Sequence, residues 1–389
     1  MNTNEQIQAI LPEIVNLRHE LHTHPEIRFE ELWTSGRIGQ FLQENEIPYT
    51  TGHAKGTGIV ATIEGQGPKT IALRSDMDAL EIHEKTNLPY ASTIPDRMHA
   101  CGHDGHMANL CGTAKILKSN QENLKGTVKL IFQPAEEQAA GGRFIVEEGL
   151  IDDCDAVFGL HGWPTLPTGT VGVKSGEAMA SADFFQIEVT GKGCHGAYPS
   201  AGIDPIVIAS HITIALQTIV SREINPWDEA VLSIGKITGG EASNVIPEKA
   251  YLEGTFRTLN QRTRDKIFHA IPRVAEHTAK AYRGDANVIF GENPYPYLHN
   301  DPVQSEFAKD TIRNIFGEES LDEPQFPSMA SEDFAFYLQK KPGAFLFLGV
   351  KPIEQSEYPS LHSPYFDFND DALPVGMELF TNLVYDYFS

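Results

Sequence analysis

Side chains able to bind a transition metal are scattered over four distant stretches of this chain: His99-Ala-Cys101-Gly-His103-Asp104, Gln133-Pro134-Ala135-Glu136-Glu137, Gly159-Leu-His161-Gly-Trp163-Pro164 and Leu361-His362-Ser-Pro364. A zinc finger gathers its ligands within a short loop that the metal itself folds. Thiolate, imidazole and carboxylate groups spread this widely need a large scaffold that folds first, which is the arrangement of a metalloenzyme. The 389 residues are too many for one ordinary core, so two domains are expected.

Hydrophobic periodicity supplies the scaffold. Ile7, Ile10, Leu11, Ile14, Leu17 and Leu21 recur at helical spacing, and a second helical stretch covers roughly 30–46. Strand-like runs then alternate with helices: 58–63, 70–74, a helix over 104–118, 128–132, a helix near 142–149 and a strand at 156–160. That alternation predicts an α/β domain with a largely parallel sheet. Asp76 and Asp78, Glu136 and Glu137, and His161 all follow strand ends, where open α/β sheets place their sites.

Between Ala182 and Asn293 the pattern changes. A strand at 184–189, a helix at 204–222, strands at 230–237 and 249–257, a helix at 261–282 and a strand at 286–290 form a β-α-β-β-α-β unit of ferredoxin-like order. Helix-strand-helix then resumes, with 343–350 as a core strand and 372–387 as a closing helix. His362 lies in this last part. If it joins the earlier ligands, residues 1–181 and 294–389 make one discontinuous metal-binding catalytic domain, and 182–293 is an inserted lid and dimerisation domain.

Charge and cysteine usage narrow the function. A formal net charge of −23 opposes nucleic acid, whose phosphates it would repel. The longest apolar runs, such as Gly343 to Val350, fall short of a membrane span. Met1-Asn-Thr-Asn-Glu-Gln has neither a positive cap nor an apolar stretch, so no secretory signal is visible. The four cysteines, Cys101, Cys111, Cys154 and Cys194, form no CxxC pair and fit a reducing compartment. The expected location is the cytoplasm.

Consecutive glutamates just past a strand end place one carboxylate toward a metal and the next toward a substrate, because side chains alternate in extended chain. By the same reasoning Cys101 and His103, two residues apart, share a face. Cys111 and Cys154 read as small buried hydrophobes. A cysteine hydrolase using Cys101 with a histidine base is the alternative mechanism. It leaves Glu136, Glu137, His161 and His362 without a role. His19, His22 and His24 read as structural or supporting groups at a helix end.

The motifs together resemble the M20 metallopeptidase family, in the branch with hippurate hydrolases, N-acyl-amino-acid deacylases and plant auxin-conjugate hydrolases. The resemblance rests on Leu17-Arg-His-Glu-Leu-His-Thr-His-Pro-Glu26, Leu73-Arg-Ser-Asp-Met-Asp-Ala-Leu80, Met98-His-Ala-Cys-Gly-His-Asp-Gly-His106 and Phe132-Gln-Pro-Ala-Glu-Glu137. It continues through Gly193-Cys-His-Gly-Ala-Tyr-Pro199, Met329-Ala-Ser-Glu-Asp-Phe334 and Leu361-His-Ser-Pro-Tyr-Phe-Asp-Phe-Asn-Asp370. Two segments depart from the family pattern: Ile27-Arg28 replaces the commoner Leu-Gly, and Cys194 stands where glycine is usual.

The resemblance implies two divalent metal ions held by Cys101, His103, Glu137, His161 and His362, with Cys101 the bridge. Mixed S/N/O ligands suit Mn²⁺, Zn²⁺, Co²⁺ or Ni²⁺. It maps Glu136 to the general acid and base, and Asp78 and Asp104 to groups that orient ligating imidazoles. His195 matches the lid histidine that reaches the active site of a second subunit, implying a homodimer. Asn244 and Arg257 match substrate contacts, with Arg257 suited to a carboxylate. The implied activity is hydrolysis of the amide of an N-acyl-L-amino acid, a small-molecule substrate, as in a hippurate hydrolase. N-acetyl-L,L-diaminopimelate deacetylation and dipeptide cleavage are alternatives on the same site. A noncatalytic metal- or amino-acid-binding protein is the alternative from another class.

Overall fold

The computed structural model describes residues 3–389, which divide into two compact units. One runs to Gly176 and resumes at His299–Phe326 and Asp333–Ser389; the other is Glu177–Leu298 with Pro327–Glu332.

The first unit opens with α1 (Thr3–Thr23), whose Ile7, Ile14, Leu17 and Leu21 are buried at three- and four-residue spacing. After α2 (Leu32–Glu44) come β1 (Tyr49–His53), β2 (Gly58–Ile63), β3 (Thr70–Asp76), α3 (His103–Ser119), β4 (Thr127–Gln133), α4 (Glu136–Ala139), α5 (Gly141–Glu147), β5 (Ala156–Pro167) and β6 (Val171–Gly172). α3 is buried on nearly every face and packs between α1, the closing helix and the sheet.

The second unit begins as β7 (Gly176–Met179) gives way to β8 (Asp183–Thr190), β9 (Cys194–His195), α6 (Pro205–Thr218), β10 (Ala230–Gly239), β11 (Val245–Ile246), β12 (Lys249–Thr258), α7 (Gln261–Ala281), β13 (Asp285–Phe290) and β14 (Leu298–Asn300). Its sheet is antiparallel in the order β10-β12-β8-β13. Phe185, Ile187 and Val189 alternate inward on β8 and meet Ile208, Ile212 and Leu216 of α6 and Ile267 and Ile271 of α7. Asp204 caps α6 by accepting from the N–H groups of Ile206 and Val207, and Asn260 caps α7 through Thr263. Counted with the π-turn that continues α6, Pro205–Glu223 is long and apolar enough to cross a membrane by length and composition. That exceeds what the sequence pattern suggested. The sheet explains the composition, since one apolar face of the helix belongs to this unit's core.

The chain returns to the first unit through α8 (Pro302–Phe316), β15 (Leu321–Asp322), α9 (Ala335–Lys340), β16 (Gly343–Lys351) and α10 (Ala372–Tyr387). The large sheet has the order β1-β2-β4-β3-β5-β16-β6-β15. β4, β3, β5 and β16 are mutually parallel neighbours, and antiparallel pairs lie on either side of them. This is the parallel-rich α/β architecture, accompanied by a ferredoxin-like α+β unit.

Candidate metal centre

Strand ends and one helix start deliver the site. β3 ends at Asp76 with Asp78 just beyond; β4 ends at Gln133; α3 begins at His103. His161, expected just past a strand end, lies inside β5, which runs on to Pro167 and pairs it with Phe347 of β16. The five side chains implied as ligands converge. Cys101 Sγ lies 3.5 Å from His161 Nε2. Glu137 Oε1 stands 3.3 Å from His362 Nε2 and 3.7 Å from His103 Nε2. Cys101, Glu137 and His362 offer ligand atoms within 4.8 Å of one another, as do His103, Glu136 and Glu137.

Local structure aims each imidazole. His161 Nδ1 is 2.8 Å from the Gly162 carbonyl; as an N–H donor there, it leaves the Nε2 lone pair facing Cys101. Burial, then the neighbouring His106, pushes the His161 pKa well below its usual value, so the ring stays neutral. His362 adopts a left-handed backbone with φ 65°, an uncommon state for a residue with a side chain. Its amide donates to the Ala100 carbonyl at 2.9 Å, which pins it beside Cys101.

The electrostatics favour a cation. Burial and then the Glu137 and Glu136 carboxylates drive the Cys101 thiol pKa well up. Burial opposes a charged His103, but Asp76, Asp78 and Glu137 outweigh it and raise its pKa to about 10. His103 Nδ1 lies 3.4 Å from Asp78, and Nε2 lies 3.7 Å from Asp76. These are ion-pair distances, yet neither ring nitrogen nor Glu137 Oε1 has a well-formed hydrogen bond among the described residues. Buried polar atoms left this way call for a further partner. The donor set of sulfur, imidazole and carboxylate suits a borderline transition metal.

Glu136 and Glu137 occupy the first turn of α4, where the sequence pattern suggested extended chain. Asp78 produces that turn: its Oδ1 accepts the Glu136 N–H at 2.9 Å and its Oδ2 the Glu137 N–H at 3.0 Å. The two side chains diverge by helical geometry and not by strand alternation. Cys101 and His103 are likewise not in extended chain, because Gly102 is left-handed and His103 opens α3. Glu136 Oε1 accepts from the Asp333 N–H at 3.4 Å.

Sequence reasoning missed the charged scaffold beneath. Arg74, buried in β3, donates to Gln133 at 2.9 Å and to Asp76 and Asp333 at 2.8 Å each. Asp76 Oδ1 is 2.7 Å from His106 Nδ1, and His106 Nε2 accepts the Gly162 N–H at 2.7 Å. Asp76 and His106 lie within ligand range of His103 and His161, but both are engaged by the protein. The available signal was an arginine inside an apolar strand, which must be paired if buried. Asp104, expected to orient a ligating imidazole, instead bonds His22 Nδ1 at 2.8 Å and lies 3.5 Å from Arg18. His19 stacks on Tyr90 and His24 on Trp33.

Comparison with known proteins agrees with this geometry. The model of peptidase family M20/M25/M40 matches residues 72–386. The chain belongs to that family. An N-acetylcysteine deacetylase of Bacillus subtilis (strain 168) is 41% identical over 97% of each chain. A hippurate hydrolase of Campylobacter jejuni is 38% identical over 100% of each. The crystal structure of a dinuclear metal-binding M20 peptidase from Bacillus subtilis superposes with a TM-score of 0.83 at 37% identity, over 97% of this chain and 98% of that one. This M20 protein is accordingly a metal-dependent amidohydrolase.

The remaining residues implied by the resemblance lie in the second unit of this M20 chain. His195, exposed on β9, pairs with Val245 of β11. Its Nδ1 accepts the Ala197 N–H at 3.0 Å, so the N–H is on Nε2. Asn244 is the neighbour of Val245, and its carbonyl accepts the Gly196 N–H at 2.7 Å. Arg257 is half-buried on β12 and donates to Met329 O at 3.2 Å and Ser331 Oγ at 3.4 Å. No described carboxylate pairs with it.

Proposed function

We propose that the protein hydrolyses the amide bond of N-acyl-L-amino acids, with Glu136 as general base and acid beside a two-metal site. Cys101, His103, Glu137, His161 and His362 would hold the ions, with Mn²⁺, Zn²⁺, Co²⁺ and Ni²⁺ the metals that suit them. When bound, such ions supply Lewis acidity that makes water a nucleophile near neutral pH and polarises a carbonyl. The observation that supports this reading is the gathering of those five side chains beside Glu136: Cys101 meets His161, Glu137 meets His362 and His103, and His103 and Glu137 lie within ligand range of Glu136.

Glu136, buried at the start of α4, takes a proton from the attacking water and returns it to the leaving amine nitrogen. The Nε2–H of His195 meets the oxyanion, and His195 of the partner subunit serves each site in a homodimer. Asn244 contacts the substrate. Arg257, with no carboxylate partner among the described residues, takes the carboxylate of the amino-acid half. The names of the relatives, N-acetylcysteine deacetylase, hippurate hydrolase and IAA-amino acid hydrolase, favour N-acyl amino acids over dipeptides.

The test is hydrolysis by metal-stripped protein reloaded separately with the four metals. The panel holds N-acetyl-L-cysteine and other N-acetyl-L-amino acids, N-benzoyl-glycine, N-acetyl-L,L-diaminopimelate and dipeptides. Metal-dependent release of amino acid from the N-acyl substrates is expected. Stoichiometric metal with no turnover across the panel contradicts the proposal and favours a binding protein.

A further inference from the structure

We propose that Glu31 is a positioning residue for Glu136 and Glu137, completing a carboxylate clamp on the backbone of the turn that carries them. This inference rests on the roles just proposed for those two glutamates. Three consecutive N–H groups, those of Ala135, Glu136 and Glu137, point at buried carboxylates. Asp78 takes the last two. Glu31 Oε1 takes the first at 3.0 Å, and Glu31 Oε2 accepts from Thr57 Oγ1 at 2.9 Å.

The placement of Glu31 is unusual for its local position. It is the N-cap residue of α2, yet it makes no side-chain cap. Glu26 does that work instead, accepting from Trp33 N at 3.1 Å and Thr34 N at 2.9 Å. The Glu31 carboxylate is thereby released to reach across the sequence to Ala135, and it is fully buried. Burial, then the nearby Asp78 charge, lifts its pKa to about 7. A buried carboxylate beside another is a poor way to gain stability, which points to function as the reason for it.

The turn itself is strained and tightly held. Ala135 is left-handed at φ 58°, as is Ala140 at 52°. Such residues persist only where their surroundings over-determine them, and they gather at functional sites. The segments that meet Glu31 share the property: Phe29, Ala54 and Lys55 are left-handed too. The Lys55 ammonium sits over the rings of Phe29 and Phe144, tying the α2 approach to α5. Without Glu31, the Ala135 N–H is buried with no acceptor. The turn relaxes, and the Glu136 and Glu137 side chains lose their common register.

The experiment compares Glu31→Ala, Glu31→Asp and Glu31→Gln in the full chain by three readouts. These are hydrogen exchange of peptides covering 133–140, Zn²⁺ affinity by chelator competition, and kcat and KM on an N-acyl-L-amino acid. Glu31→Ala is expected to exchange faster in that segment, to bind Zn²⁺ about 10–100-fold more weakly, and to lose kcat more than KM. Glu31→Gln keeps an oxygen for Ala135 and an N–H₂ for Thr57, so it restores protection and affinity. Should Glu31→Ala not fold, Glu31→Asp decides, because its shorter side chain does not reach Ala135 and must show the same defects. Wild-type exchange and affinity in the Ala or Asp variant overturns the proposal, as does a Gln variant as defective as Ala. If the wild type turns over no N-acyl amino acid, the functional reading fails while the exchange and Zn²⁺ readouts still score the clamp.

Discussion

His103 and Cys101 make metal binding a proton-exchange reaction. Each is protonated near neutral pH in the protein alone, His103 with its pKa raised to about 10 and Cys101 with its thiol pKa driven well up. A metal takes only the deprotonated forms. Affinity is therefore expected to fall steadily as pH drops from 9 to 6, with about two protons released per subunit on loading. Calorimetry in buffers of different ionisation enthalpy measures that number, and a pH-independent affinity would remove these two residues from the ligand set. A second titration belongs to His22. Burial opposes its charge, but Asp104 and Glu84 outweigh burial and raise its pKa from 6.5 to about 9. Its stabilising contribution is complete below pH 6.5 and is lost as pH rises through about 9. Denaturant melts of wild type and His22→Gln should converge above pH 9 and differ most below 6.5. The side chains that the structure gathers around Cys101 were legible because thiol, imidazole and paired carboxylates are rare together. Glu31 and His106 were not, because their partners are far away in sequence; Arg74 has Asp76 two residues on, but folding alone brings Gln133 and Asp333 to it.

At the level of elements, the turn from β4 into α4 and α5 decides where both glutamates point. A Cβ at Gly141 would lie 1.7 Å from the Pro134 carbonyl, so Gly141→Ala must push the turn apart. The expected result is loss of metal affinity and turnover with the sheet intact by circular dichroism; unchanged metal affinity would contradict that. Arg74 is the second element-scale support, joining β3 to Gln133 at the end of β4 and to Asp333. Arg74→Met removes the cation bonded to both Asp76 and Asp333 and leaves the buried Asp333 carboxylate without its arginine. The cost is about 3–5 kcal/mol, measurable by urea unfolding. Strand and helix positions followed closely from periodicity: the helix expected at 104–118 is His103–Ser119, and the strand expected at 343–350 is Gly343–Lys351. The four-residue α4 was invisible, because a single turn has no period to detect and is set by Asp78 from another segment.

For the whole molecule, the sequence alternation carried the parallel-rich α/β class and the β-α-β-β-α-β order of the second unit. It did not carry the strand order, which depends on β16 returning from the far end of the chain to pair with β5. If His195 acts in a dimer, mixing two inactive variants, Glu136→Gln and His195→Ala, should restore activity. Half the dimers would be mixed with one intact site each, giving about a quarter of wild-type turnover. No recovery after subunit exchange would place His195 within its own subunit's site or outside catalysis. The central claim is that Glu136 moves the proton beside metals held by its neighbours. It is tested most directly by measuring bound metal and turnover together in Glu136→Gln, reloaded alongside the wild type. The account predicts two metal ions per subunit in both proteins and a loss of kcat of about 10²–10⁴-fold in the variant. Wild-type turnover in Glu136→Gln would contradict it.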